Sequence, residues 1–215
     1  GAVYREDIGT VAATTGKKAA IDFTEVTFTG NTATDAGGAL YLKDSVTNIK
    51  DSAFISNTVT GTDSRQSGGA VFASGGTLNI SDTGFTGNTA GFSESQTGSD
   101  IPWSDGGALK VTGGVETTIT GGSFTSNKAG MGGAVSQGTK SGKLVVSDTE
   151  FSNNTAHSGG AMSVRAAADI SDAKFISNTA ELGLTFSGVP GGGGALFLGS
   201  DSSTKISGSE FTGNT

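Results

Sequence analysis

The groups best able to do chemistry are few in this 215-residue chain: one histidine, 20 carboxylates, 13 Lys and Arg, and no cysteine. Without thiols there is no disulfide framework and no thiolate metal site. His157 has no second histidine with which to share a metal, and it lies in the short stretch between Asn154 and Gly159. It is therefore expected as an exposed turn residue, and no metal or cofactor is implied. Acid–base chemistry on a sugar would need carboxylates with Lys or Arg clustered on one face of the fold. Whether such a cluster exists depends on the elements that position these groups.

Those elements announce themselves as a repeat. Phe-x-x-Asn occurs seven times, at Phe28/Asn31, Phe54/Asn57, Phe85/Asn88, Phe124/Asn127, Phe151/Asn154, Phe175/Asn178 and Phe211/Asn214. Gly-Gly-Ala alternates with it six times, at Gly37-Gly38-Ala39, Gly68-Gly69-Ala70, Gly106-Gly107-Ala108, Gly132-Gly133-Ala134, Gly159-Gly160-Ala161 and Gly193-Gly194-Ala195. From each Gly-Gly to the next Phe the spacing stays between 16 and 19 residues, whereas from each Asn to the next Gly-Gly it runs from 5 to 18. Length variation is thus confined to one segment of every unit. Self-similarity of this kind marks a stacked array rather than a single closed core.

The shortest Phe-to-Phe unit, 24 residues, fits three short strands and three turns. The residue after each Ala is Leu40, Val71, Leu109, Val135, Met162 or Leu196, and two further on come Leu42, Ala73, Val111, Gln137, Val164 and Leu198. This period of two predicts an inward-facing first strand, broken only by Gln137. Five residues before each Phe, an apolar column of Phe23, Ile49, Ile80, Ile119, Val146, Ile170 and Ile206 predicts the second strand, and the Phe itself opens the third. The predicted fold is an all-β, right-handed parallel β-helix of about seven coils of roughly 24–27 residues, with loop insertions at one corner. Residues 1–22 are expected as an incomplete coil or cap and 23–215 as the array. The sequence stops inside a motif, which suggests a stretch of a longer array with self-association through its end coils. The Phe residues should form one internal stack and the Asn residues, from Asn31 to Asn214, one internal ladder. Gly-Gly should supply turns and close coil-to-coil approach, and Asp51, Asp82, Asp148 and Asp172 should suit the turn before the third strand.

On this frame the outward positions of the first strand are Tyr41, Phe72, Lys110, Ser136, Ser163 and Phe197, and those of the second are Asn48, Asn79, Thr118, Val145, Asp169 and Lys205. Asp169 and Lys205 are the only charges in the second column, too few for a sugar-cleaving site, so the chain is expected not to be an enzyme. The outward third-strand column, Thr29, Ile55, Thr86, Thr125, Ser152, Ile176 and Thr212, is mostly β-branched, as exposed strands generally are. A net charge of −7 with no basic cluster excludes nucleic acid as a partner, and no apolar run is long enough for this stretch to insert in a membrane.

Alternating Phe-x-x-Asn and Gly-Gly-Ala-[Leu/Val/Ile] resembles the repeat of the chlamydial polymorphic outer membrane proteins over residues 23 to 215. The resemblance implies an autotransporter passenger, exported and threaded through its own C-terminal barrel, then displayed on the outer membrane or released. It further implies adhesion to host cells, with both motifs, at the positions given above, linked to that role. Two features depart from the family pattern: the absence of Cys, and Met162 in place of a branched residue after Gly-Gly-Ala. The expected partner is a host-cell surface protein or glycan, with a structural stalk as the alternative.

Aromatic residues outside the predicted core are the candidate contacts. Tyr41, Phe72 and Phe197 should protrude from the first sheet, and Phe92, Trp103 and Phe186 lie in the long insertions. The insertions between Asn88 and Gly106 and between Asn178 and Gly193 should flank a groove over the short turns 127–132 and 154–159.

Overall fold

A computed structural model of the chain describes residues 2–6, 20–61, 67–91, 104–138, 141–181 and 192–215. These residues contain strands and turns and no helix, and every strand pairing among them is parallel. The chain is a parallel β-helix. In the central coils Leu109–Thr112, Glu116–Thr120 and Ser123–Thr125 are followed by Val135–Gln137, Leu144–Ser147 and Glu150–Ser152, each strand pairing with its equivalent one coil on. Val3–Glu6 pairs with the start of Leu40–Lys50 and Ala20–Thr24 with its end, so the same path is followed from the first described strand.

Two features depart from three separate short strands. Leu40–Lys50 and Val71–Ser81 run unbroken through the first and second positions, which joins both into one 12-stranded sheet; the third strands form a separate 7-stranded sheet. A fourth, two-residue strand also follows the ladder Asn, at Thr32–Ala33, Thr58–Val59, Thr89–Ala90, Thr155–Ala156 and Thr179–Ala180, with Lys128 bridging Thr89 and Thr155. Its second residue is small because it is buried where the coil closes: Val59, Ala90, Ala129 and Ala156 are almost wholly inaccessible.

Register converts the recurring Phe into a continuous stack. Neighbouring rings from Phe28 to Phe211 are 4.6 to 5.0 Å apart, with interplanar angles of at most 13°. This is the strand spacing itself, so backbone pairing sets the ring geometry. Phe54, Phe85, Phe124, Phe151 and Phe175 are fully buried, together with the inward first- and second-strand columns. At one end Phe23 packs edge-on against Phe28; at the other, Leu198, Ile206 and Phe211 remain nearly half exposed.

The Asn ladder is saturated in its interior. In the middle of the stack, Asn127 Oδ1 accepts from both the backbone N and Nδ2 of Asn88, at 2.9 Å each. Its own Nδ2 donates to Asn154 Oδ1 and to the Phe85 carbonyl, both at 3.0 Å. Two donors and two acceptor sites are thereby all used, with no water needed. The same pattern runs through Asn57, Asn88, Asn154 and Asn178, each wholly buried.

The two ends of the ladder depart from the expected internal column. Asn31 and Asn214 are only half-buried. Asn214 keeps the inward-looking half of the pattern: its Oδ1 accepts from Asn178 N at 3.0 Å and from Asn178 Nδ2 at 2.9 Å, and its Nδ2 donates to the Phe175 carbonyl at 2.9 Å. Among the described residues its second Nδ2 hydrogen has no acceptor, whereas at the interior positions the next Asn provides one.

The Gly pair divides its labour. Gly132 has φ +60°, the left-handed turn conformation, whereas Gly133 does not; a Cβ on Gly133 would collide with the carbonyl oxygen of Gly160 in the next coil. Asp51, Asp82, Asp148 and Asp172 occupy the turn before the third strand with φ between 47° and 52°, a conformation that Asp tolerates.

Gln137, the one polar residue in the inward first-strand column, is fully buried and fully bonded. Its Nε2 donates to the Gly142 carbonyl at 3.0 Å and the Ala167 carbonyl at 2.9 Å, and its Oε1 accepts from Ala166 N at 3.3 Å. It ties the turns of two coils together where the first strand is only three residues long. Gln137→Met keeps the volume but removes the side-chain partners of the Gly142 carbonyl and the Ala166 amide, while the Ala167 carbonyl keeps its bond from Leu144 N. It should lower stability by about 2 kcal/mol, read as a lower urea midpoint; an unchanged midpoint would show that these bonds are not needed.

Candidate functional site

The surface that changes most from coil to coil is the outer side of the first strands. Tyr41, Phe72, Lys110, Ser136, Ser163 and Phe197 are brought into one register column, as their spacing from Gly-Gly predicts. Tyr41 and Phe72 stack on each other, ring centroids 5.0 Å apart and planes 20° apart, and both are partly exposed. Phe197, also partly exposed, lies at the other end of the column.

Between these aromatics the face is covered, contrary to its expected exposure. Lys110, Ser136 and Ser163 are all buried. Lys110 Nζ donates to Asp105 Oδ2 at 2.6 Å and to Ser136 Oγ at 3.1 Å, and Ser136 Oγ donates to Asp105 Oδ1 at 3.3 Å. Asp105 belongs to a second column, formed by the residues just before each Gly-Gly: Ala36, Ser67, Asp105, Met131, Ser158 and Gly192. The left-handed Gly that follows folds this column onto the outside of the first sheet: a Cβ on Gly106 would strike the Leu109 carbonyl and crowd the Lys110 backbone. Arg165, on the same outward side, completes the cover, with Nη2 3.2 Å from Met131 Sδ and the guanidinium 5.8 Å from the Phe197 ring centre. Asp105, Met131 and Arg165 were not singled out by the sequence patterns, although the fixed place of the first two before Gly-Gly was available as a signal.

The motif residues that the resemblance links to adhesion are placed chiefly in the interior. From Asn57 to Asn178 the Phe and Asn side chains are inaccessible, and only the end members offer surface: Phe211, 45% exposed, and the half-buried Asn31 and Asn214. The buried Phe and Asn side chains hold successive coils in register, and of the Gly-Gly pairs Gly193 is exposed and Gly194 half-buried.

The second-strand face is polar and open. Asn79 Nδ2 donates to Asn48 Oδ1 at 2.8 Å, and Asn48 Nδ2 to Asp22 Oδ1 at 2.6 Å, forming an external amide ladder. Farther along, Asp169 pairs with Lys143 and stands in register with Lys205. The hydrogen bond from Lys143 holds the Asp169 carboxyl below its ordinary range; desolvation opposes this, and the charges of Lys143 and Lys205 add to it. A carboxylate held ionised in this way is a poor general acid.

His157, expected on the surface, is only 6% exposed. The turns that would floor the groove are buried generally, with Ala129, Met131, Ala156 and Ser158 inaccessible or nearly so. Burial pushes the His157 pKa down, and the charge of Glu181 offsets part of that. The unfolded imidazole titrates near about 6.5. Above that pH both states are neutral; as pH falls from it through the lower folded pKa, the unfolded chain takes up the proton first and stability is lost. His157→Gln should flatten this loss, giving a smaller drop in melting temperature between pH 7.5 and 5 than the parent shows. Parallel pH profiles would refute it.

Among the described residues no group of three His, Cys, Asp or Glu is arranged to hold a metal. Residues 25–43 match the family model of the Chlamydia polymorphic membrane protein repeat. The chain carries this repeat. The matched segment begins before Phe28 and runs through Asn31 and Gly37-Gly38-Ala39 to the first strand of the next coil, so one polymorphic membrane protein repeat contains a third strand, the variable corner and the Gly-Gly turn. Neither curated proteins nor solved structures gave a match. In three other repeats the described residues on either side of the variable segment, Val59 and Ser67, Ala90 and Asp105, and Ala180 and Gly192, are held in the ladders. Phe92, Trp103 and Phe186 lie outside the described residues.

Proposed function

We propose that this chain is part of a passenger displayed at the bacterial outer surface that attaches the bacterium to host cells, and that it has no enzymatic activity. The observation that carries this is a contrast within each repeat. Inside, Phe, Asn and Gly-Gly recur almost without exception; at one corner and the adjoining outer face, both length and residue type change from coil to coil. A stalk gains nothing from such variety, whereas a rigid scaffold presenting variable loops is the usual arrangement for recognition. The non-enzymatic part rests on two outward lysines whose charges are taken up by carboxylates, Lys110 by Asp105 and Lys143 by Asp169. Export, threading through a barrel and display belong to the same proposal and rest on the repeat.

Beads coated with the chain should adhere to cultured host cells. Trimming 62–66, 92–103 and 182–191 to the length of the 127–132 turn should abolish adhesion with the melting temperature retained, and Trp103→Ser with Phe186→Ser should do the same. Beads that never adhere would favour the stalk; adhesion undiminished by trimming would remove the loops from the proposal.

A further inference from the structure

Arg165 differs from Lys50, Lys110 and Lys143 in what it faces. Lys110 donates to Asp105, Lys143 pairs with Asp169, and Lys50 lies 3.6 Å from Asp51. The Arg165 guanidinium has a thioether, Met131 Sδ, and an aromatic ring, Phe197, and no carboxylate among the described residues pairs with it. A thioether is a weak acceptor and a ring face engages the positive charge rather than the N–H fork, so most of its five donors stay available. The two contacts also restrain the side chain, and Gly199 leaves room for it: an added Cβ there would lie 3.2 Å from Arg165 Cγ.

A second observation points to the same place. Ser163, two residues before Arg165 on the same outward side and in register with Phe197, is 1% exposed, and its hydroxyl has no hydrogen-bond partner among the described residues. Buried hydroxyls are nearly always satisfied, so this one marks an imperfectly packed place in the cover beside Phe197.

A restrained guanidinium beside an aromatic ring matches a carboxylated sugar better than a protein surface. A stable protein interface needs about 800 Å² per side around an apolar centre. Among the described residues, large exposed hydrophobics are confined to Ile55 and to Leu198, Ile206 and Phe211 in the last coil. With a net charge of −7, the chain also repels extended polyanions and strongly acidic proteins, but it can accept a single carboxylate.

We propose that Arg165 and Phe197 bind the carboxylate-bearing terminal sugar of a host glycan, a sialic or a uronic acid. Arg165 clamps the carboxylate through two N–H groups and Phe197 packs against the apolar part of the sugar. The site deepens the adhesive proposal above by naming its ligand class, and it rests on that proposal.

The test uses the whole 215-residue chain, titrated with 3′-sialyllactose, with a glucuronic-acid-terminated disaccharide and with neutral lactose. Binding of either acidic sugar at least about tenfold tighter than lactose is expected, and the preferred one identifies the source. Arg165→Gln should abolish the preference and Arg165→Lys should weaken it, since Lys keeps the charge without the fork. If Arg165→Gln does not fold, Arg165→Lys and the binding of the unaltered chain to sialidase- or glucuronidase-treated cells carry the test. Equal affinity for all three sugars, or none, overturns the site. Adherent beads with no sugar binding leave adhesion standing without this site; if Arg165→Gln also stops that adhesion, the ligand is an acidic protein segment and the glycan is ruled out. Arg165-dependent sugar binding by beads that do not adhere overturns adhesion alone.

Discussion

Asn127→Ala should cost roughly 4 kcal/mol, and Asn127→Asp should cost at least as much at pH 7 although it alters only one atom of the side chain. Asn127 Oδ1 is the acceptor for two buried donors of Asn88, and its Nδ2 serves Asn154 Oδ1 and the Phe85 carbonyl. Alanine removes all four bonds where water does not reach and leaves Asn88 N without its acceptor, while Asn88 Nδ2 keeps the Phe54 carbonyl and Asn154 Oδ1 keeps the backbone N of residue 127. Aspartate still accepts from Asn88, but it turns an oxygen toward two other oxygens and buries a charge. Burial raises its folded pKa above the unfolded value near about 3.9, so the aspartate variant should regain stability as pH falls through that raised pKa, when the protonated carboxyl recovers one donor. Urea unfolding of parent and both variants at pH 7 and pH 4.5 reads this. An aspartate variant matching the parent at pH 7, or one that weakens relative to the parent on acidification, would show that the ladder is not bonded in this way.

That ladder was legible in the sequence because its spacing tolerates no insertion. A residue that must meet its counterpart one coil away cannot drift, so the three-residue interval from Phe to Asn survives even where 18 residues separate Asn88 from Gly106. The motif does not distinguish an interior rung from an end one, and Asn214 reads like Asn127 although only Asn127 has a coil on both sides. The inward columns ending in Ile49, Ile80, Ile119, Val146 and Ile170 were legible for the same reason as the ladder, and all are buried. The fourth strand was missed although its signal, Asn-Thr-Ala or Asn-Thr-Val, recurs. Two residues are too few to show a period of two, and pairing between coils rather than local propensity makes them a strand. Equally hidden were the left-handed residues two places after Phe, Ser56, Ser126, Asn153 and Ser177, which alternate with Gly30, Gly87 and Gly213. Their residue types differ while their φ does not.

The candidate site was legible only in outline. Counting from Gly-Gly placed Tyr41, Phe72, Lys110, Ser136, Ser163 and Phe197 in one column, but alternation specifies which side of a sheet a residue faces and not what lies over it. The cover comes from a different part of the repeat. Asp105 reaches Ser136, 31 residues on, and Arg165 reaches Met131, 34 residues back, contacts that no local pattern encodes. His157 went the same way: a polar stretch between Asn154 and Gly159 looks like a surface turn until the adjoining coils close around it.

The second large effect concerns the aromatic stack, and it separates packing from mere repetition. Phe124 is fully buried, with Phe85 at 4.6 Å on one side and Phe151 at 5.0 Å on the other, whereas Phe211 has only Phe175 at 4.7 Å and is 45% exposed. Phe124→Ala should cost about 3 to 5 kcal/mol, as a truncation that leaves a cavity the paired backbones cannot close. Phe211→Ala removes the same atoms from a site already half open to solvent and should cost about a third as much. Because each coil contacts only its neighbours, the central truncation should also divide the array, with the coils on either side melting at different temperatures. Thermal melts read by hydrogen exchange at Ile80 and Ile170, on opposite sides of Phe124, would resolve this. Equal losses for the two variants would mean that ring stacking contributes little and that strand pairing alone holds the coils together.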